Sequence, residues 1–86
     1  MLVAWHPVPH DPALTSALEA RLHGRCLHVE HRRGEPSWRW SVASEHGRSL
    51  ADGVASDAHT AERAAEDEVY RVHVPIGDAV GWWLEG

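Results

Sequence analysis

Residues 25–44 read RCLHVEHRRGEPSWRWSVAS, and this stretch decides the fold class. It contains two runs in which large apolar side chains alternate with polar or small ones, the pattern of a β-strand with one buried face. The break between them is Gly34-Glu35-Pro36, which predicts a turn. The apolar positions that would share one face are Leu27, Val29, Trp38, Trp40 and Val42. We therefore predict two antiparallel strands, over residues 25–33 and 37–44.

A third strand is predicted downstream, over about residues 48–55. The dipeptide His46-Gly47 supplies a tight turn before it, as expected for a hairpin. Its alternation is weaker, because Leu50 and Val54 share a face with Asp52, and Gly53 suggests a bulge that would shift the register. The three strands together predict an antiparallel sheet.

Helical signals flank these strands on both sides. Asp11-Pro12 has the chemistry of a helix start and Gly24 that of a helix end, and the leucines between them repeat at helical spacing, which predicts a first helix over residues 12–23. Ser56-Asp57 can cap a second helix over about residues 58–72. Its apolar stripe is mostly alanine, which would let the helix backbone approach the sheet closely beneath the tryptophans.

The predicted fold class is therefore α+β, in the order α-β-β-β-α, with a three-stranded antiparallel sheet packed on two helices. The layout of residues 12–72 resembles that of double-stranded RNA binding domains. In that family lysines at the start of the second helix grip phosphate, whereas residues 57–62 contain none, so the resemblance implies the shape and not RNA binding. The predicted core is Leu14, Leu18, Leu22, Leu27, Val29, Trp38, Trp40, Val42, Ala61, Ala65 and Val69.

Length and composition limit the broad class. A chain of 86 residues suits a single domain, with residues 11–73 as its core, residues 1–10 as an N-terminal arm or edge strand, and residues 74–86 as an apolar tail. The single cysteine, Cys26, allows no intrachain disulfide, which favours a reducing compartment, and we expect a cytoplasmic protein. No stretch has the length and apolarity of a membrane span or a signal peptide.

Eight histidines raise the question of metal binding. His28 and Glu30 would project from one face of a strand and His31 from the other, so these three side chains would not converge on one ion. His6 and His10 are separated by two prolines, which prevents a helical pair. We expect no metal site and no cofactor, although adventitious metal binding by the histidines stays open.

Catalytic groups are also sparse. Cys26 and His28 would share a strand face, which is the only local pairing of a nucleophile with a base. The acidic run Glu66-Asp67-Glu68 would be spread around a helix, so it does not focus two carboxylates on one atom. The sequence therefore predicts a protein that is not an enzyme.

Charge is unevenly distributed along the chain, whose formal net charge is −5. Residues 21–48 carry six arginines and three acidic residues, whereas residues 49–86 carry two arginines and eight acidic residues. The predicted charged surfaces are an arginine-bearing open sheet face and an acidic second helix. Their candidate residues are Arg32, Arg39 and Arg48 on the first, and Glu62, Glu66 and Asp67 on the second.

The C-terminal tail supplies the interface candidates, Val80, Trp82, Trp83 and Leu84. Adjacent tryptophans point in different directions, so burying both requires cover from two sides. A homodimer or another protein partner would provide that cover, and a tail folded back over its own open sheet face is the competing explanation.

These observations predict a small non-enzymatic protein-interaction module that could self-associate. The alternative is a nucleic-acid-related protein, either an acidic inhibitor of a nucleic-acid-binding enzyme or a weak RNA or DNA binder through the arginine-bearing face. The negative net charge argues against direct binding of nucleic acid.

Overall fold

A computed structural model describes residues 3–72 of the chain. The described residues form a five-stranded antiparallel sheet with one helix, so the predicted three-stranded sheet on two helices is wrong. Each strand pairs with its neighbours in the sequence, in the order β1-β2-β3-β4-β5. The elements are β1 His6–Pro7, β2 Leu14–Leu22, β3 Arg25–Arg32, β4 Trp38–Ser44, β5 Ser49–Ala55 and α1 Ala58–Val72.

The error lies in residues 12–23, where Leu14–Leu22 form strand β2 in place of the predicted first helix. Asp11 and Pro12 begin a turn: the Leu14 amide donates to the Asp11 carbonyl oxygen at 2.9 Å, and the Ala13 amide donates to Asp11 Oδ1 at 2.7 Å. An aspartate followed by proline is as well suited to a turn as to a helix start. Asp11 and Pro12 therefore form a turn before a strand, and not the start of a helix.

The end of β2 shows the same ambiguity. His23 and Gly24 both have positive φ, 52° and 73°, and they form a two-residue connection between β2 and β3, as in a type I′ hairpin. Leu18, Ala20 and Leu22 are spaced by two residues, and their register partners are Val29, Leu27 and Arg25. The segment therefore forms a strand, because its alternating apolar residues and its two-residue turn allow it to pair with β3, although its leucines also have helical spacing. Without a first helix, the likeness to double-stranded RNA binding domains is also wrong.

The sheet face covered by α1 holds the core. Helix α1 lies over β3, β4 and β5, and the predicted face of the two central strands is confirmed by the pairing of Leu27 with Val42 and of Val29 with Trp40. The predicted alanine stripe is also confirmed, because Ala61, Ala65 and Val69 are fully buried. Ala20 and Leu22 of β2 join the same cluster, against which residues Val3 and Trp5 pack.

The remaining predicted core positions differ in their burial. Trp38, Trp40 and Leu18 are half-buried. Leu14 is buried, but its register partner is Arg32, which lies on the face away from α1, so its predicted packing against a helix is wrong. A register shift between Leu14 and Ser16 produces this change of side.

Gly53 makes room for the Trp40 indole. The two residues are register partners, and a Cβ atom at Gly53 would lie 2.7 Å from Trp40 Cζ2. The predicted bulge at Gly53 is not observed, because the register shift in this strand pair lies between Val42 and Ala43. Glycine is therefore required at position 53 because the Trp40 indole lies too close for a Cβ atom there.

Asp57 is the N-cap of α1, as the sequence predicts. Its Oδ1 accepts a hydrogen bond from the Thr60 amide at 2.8 Å, and its carbonyl oxygen accepts from the Ala61 amide at 3.0 Å. The hydrogen bonds from Thr60 lower the pKa of the Asp57 carboxyl below its ordinary value of 3.8. The cap therefore favours the ionised form.

This cap predicts an acid-dependent contribution to stability. Because the pKa of Asp57 is lower in the folded state, the contribution is fully present above pH 3.8 and is lost as the pH falls through the folded-state pKa. The melting-temperature difference between the parent and Asp57→Ala should shrink under strongly acidic conditions. Asp57→Asn is the control, since asparagine caps helices without titrating. A parent–alanine difference that is the same at neutral and strongly acidic pH would contradict this assignment.

None of the helical structure within residues 3–72 is both long enough and apolar enough to cross a membrane.

Candidate docking edge and open sheet face

The sheet face opposite α1, called the open face here, is mostly polar on β3, β4 and β5, whereas on β2 it also carries the buried Leu14 and Ala17. Register pairing places alternate residues of the strands on it, because directly opposed residues in antiparallel strands share a face. The side chains of β3, β4 and β5 that lie on the open face include Cys26, His28, Glu30, Arg32, Arg39, Ser41, Asp52 and Val54.

Two cationic side chains of the open face, Arg32 and Arg39, are paired with acids, whereas the exposed Arg21 of β2, whose register partner is Cys26, has no ion pair within residues 3–72. Arg32 Nε lies 3.4 Å from Glu30 Oε2, and Arg39 Nη2 lies 3.3 Å from Glu35 Oε2. Arg48, the third predicted arginine, is exposed just before β5. The structure thus places Arg32 and Arg39 on the same face, as expected, but compensates both charges locally.

His28 lies between two carboxylates on this face. Its Nδ1 is 3.3 Å from Glu19 Oε2 and its Nε2 is 3.0 Å from Glu30 Oε1. Cys26 is on the same face, and both ring nitrogens of His28 contact carboxylate oxygens. His28 therefore links Glu19 of β2 with Glu30 of β3.

Asp52 differs from the other acidic residues of the open face. It is exposed, and no hydrogen bond or ion pair joins its carboxylate to another residue in the described part of the chain. It borders a shallow depression of about 360 Å³, whose lining also includes Ser41, Gly53 and Val54. Asp52 is thus an uncompensated carboxylate on β5, the last strand of the sheet within residues 3–72.

Strand β5 is an open edge. Within residues 3–72 it has a strand neighbour only on the β4 side. Its seven residues contain neither proline nor lysine, two common protections against further pairing, and its protective features are Asp52 and the register shift opposite Val42 and Ala43. Its exposed apolar residues are Leu50, 39% accessible, and Val54, 68% accessible. The opposite edge strand, β1, has two residues, one of them Pro7, and Pro9 follows. The two edges of the sheet are therefore protected to different degrees.

The predicted acidic surface of α1 is only partly turned to solvent. Asp67 is exposed, whereas Glu62 and Glu66 are half-buried and line a cleft beside Trp5. Burial, and secondarily the charge of Glu66, raises the pKa of the Glu62 carboxyl. The Trp5 indole Nε1–H donates to Glu66 Oε2 at 2.7 Å. Glu66 thus anchors the N-terminal residues to the helix, a role that the sequence did not reveal.

The sequence also gave no indication of a contact between Thr15 and His31. Thr15 Oγ1 makes a short hydrogen bond to His31 Nδ1, and His31 Nε2 lies 2.7 Å from the Glu35 carbonyl oxygen. Since that carbonyl can only accept, the His31 Nε2–H donates to it, and the Thr15 hydroxyl lies within hydrogen-bond distance of both His31 Nδ1 and the His31 carbonyl oxygen. This chain of hydrogen bonds ties the irregular start of β2 to the loop after β3, and the unpredicted strand β2 is what brings Thr15 there.

The histidines within residues 3–72 do not converge on one point. His31 pairs with Trp38, on the face opposite His28 and Glu30, as the alternation predicts. In the part of the chain that the structure describes, no group of three metal-binding side chains is close enough to hold an ion. The interface candidates Val80, Trp82, Trp83 and Leu84 lie outside the described residues.

No protein-family model, curated protein or solved structure matches this chain.

Proposed function

We propose that this chain is a non-enzymatic protein-interaction module that docks an extended segment of a partner along β5. The observation that carries the proposal is the outer edge of β5, which has no strand neighbour within residues 3–72 and carries the exposed Val54. An added strand would form main-chain hydrogen bonds with the free edge, as in strand-addition complexes. Soluble proteins normally protect such edges, so an edge with few protections favours an interaction role.

The partner in this proposal is another protein, with a second copy as the alternative. Two β5 strands paired antiparallel would bring two Asp52 carboxylates onto one face of adjacent strands, and β5 itself contains no basic residue to offset them. Sedimentation of the parent over a range of concentrations separates the alternatives, because only the second copy makes the mass concentration-dependent.

The ion pairs of the open face give no support to direct nucleic-acid binding. Phosphate contacts require cations that can replace the counterions condensed on the nucleic acid, and Arg32 and Arg39 are already paired with Glu30 and Glu35. The charged side chains of this face therefore favour a protein-interaction module over a nucleic-acid-binding protein.

Docking at β5 can be tested with the capped probe peptide Thr-Val-Thr-Thr-Thr-Val-Thr, which is neutral and favours the extended conformation. Titration into ¹⁵N-labelled protein should shift the backbone amide resonances of β5 more than those of β1. Val54→Lys should weaken binding about two- to fivefold, the worth of one cross-strand pair.

The matched control is Ala4→Lys, which adds the same charge at an exposed position near the opposite edge. It should leave the affinity unchanged. Shifts that are absent from β5, or that are centred on β1, would contradict the proposed function.

A further inference from the structure

The depression on the open face adjoins β5, which gives the proposed docking edge a chemical preference. Asp52 and Val54 lie on this strand and also line the depression. A side chain on a docked strand that is directly opposite one of them would lie on the same face, within a cross-strand contact distance. The open face next to β5 would therefore contact alternate residues of the partner.

The charges around the depression are already satisfied, apart from Asp52. Arg39 is paired with Glu35, and His28 with Glu19 and Glu30. Ser41, the register partner of Asp52 on β4, is small and uncharged. A basic side chain of a docked partner would therefore complement the Asp52 carboxylate.

We propose that the docked segment carries an arginine or lysine opposite Asp52 and an apolar residue two positions away, opposite Val54. This inference rests on the proposed function. The side chain of Val54 is 68% accessible and offers an apolar surface to the partner residue and to the alkyl stem of the basic side chain. The charged head would reach the Asp52 carboxylate. The partner is then a protein segment with alternating basic and apolar residues.

The test uses three capped peptides, Thr-Val-Thr-X-Thr-Val-Thr, in which X is threonine, arginine or glutamate. The parent should bind the arginine peptide about two- to fivefold more tightly than the threonine peptide, because exposed ion pairs contribute up to about 1 kcal/mol. The glutamate peptide should bind most weakly. Asp52→Asn should remove the preference, and Asp52→Lys should reverse it.

Asp67→Lys is the matched control. It makes the same change in net charge at an exposed position on α1, away from the open face, and it should retain the preference for arginine. Thermal melting of each variant checks that the fold is intact, and Asp52→Asn, which is nearly isosteric, serves if Asp52→Lys does not fold.

The failures of this inference and of the proposed function are distinguishable. Equal affinity of the parent for the arginine and glutamate peptides, with shifts on β5 for both, would overturn the inference and leave the docking edge in place. A preference that persists in Asp52→Asn and Asp52→Lys would also overturn it. Absence of binding at β5 by all three peptides would remove the proposed function and this inference with it.

Discussion

Replacing Trp40 with alanine should lower the free energy of unfolding by about 3 kcal/mol. The indole packs against the buried cluster of sheet and helix and lies across Gly53, so its removal deletes contacts with two neighbouring strands. Small domains have only about 5–15 kcal/mol of stability, so the loss should be evident as a large decrease in the denaturation midpoint.

Urea denaturation followed by far-ultraviolet circular dichroism measures this change without relying on the fluorescence of the five tryptophans. Val54→Ala is the control, because its exposed side chain should contribute within about 0.5 kcal/mol. An unfolding midpoint for Trp40→Ala equal to that of the parent would show that the indole is not part of the core.

Ala65→Leu should destabilise the protein by about 2 kcal/mol through overpacking. Ala65 has no accessible surface, and it lies on the stripe of α1 that is packed against β3, β4 and β5. A larger side chain there must push the helix away from the sheet or adopt a strained rotamer.

Ala64→Leu provides the comparison, since Ala64 is adjacent but only half-buried. It should cost clearly less than Ala65→Leu in the same thermal or urea denaturation. Equal costs for the two variants would contradict the close approach of the alanine stripe to the sheet.

The central part of the fold could be predicted from the sequence because its signals were unambiguous. Strands β3 and β4 alternate cleanly over seven or eight residues, and the Asp57 cap begins a helix whose small residues repeat every three or four positions. These local patterns also determine which sheet face is covered by α1, and the observed register agrees with them.

Residues 12–23 could not be assigned by the same reasoning, because the local chemistry satisfies two structures. Leu14, Leu18 and Leu22 are spaced by four residues, which suits a helix, but Leu18 and Leu22 also fit a period of two. The choice depends on pairing with β3, a tertiary interaction that helix propensity does not include.

The candidate site was less accessible to sequence reasoning than the fold. The alternation placed Arg32 and Arg39 on one face, but the acids that pair with them come from β3 itself and from the following loop. The significance of Asp52 depends on β5 being the last strand, and a sequence pattern does not specify a strand's position in a sheet.

The purely sequential strand order has a consequence for how the chain reaches its native state. Each strand can be added by closing a short connection, and the β2–β3 connection has only two residues, so the entropy cost of each step is small. Contacts between near neighbours in sequence generally accelerate folding. The contacts between α1 and β3 require a longer chain segment to close, and they also bury the alanine stripe. Hairpin formation before helix docking is therefore the route with the lowest entropic barrier for this chain.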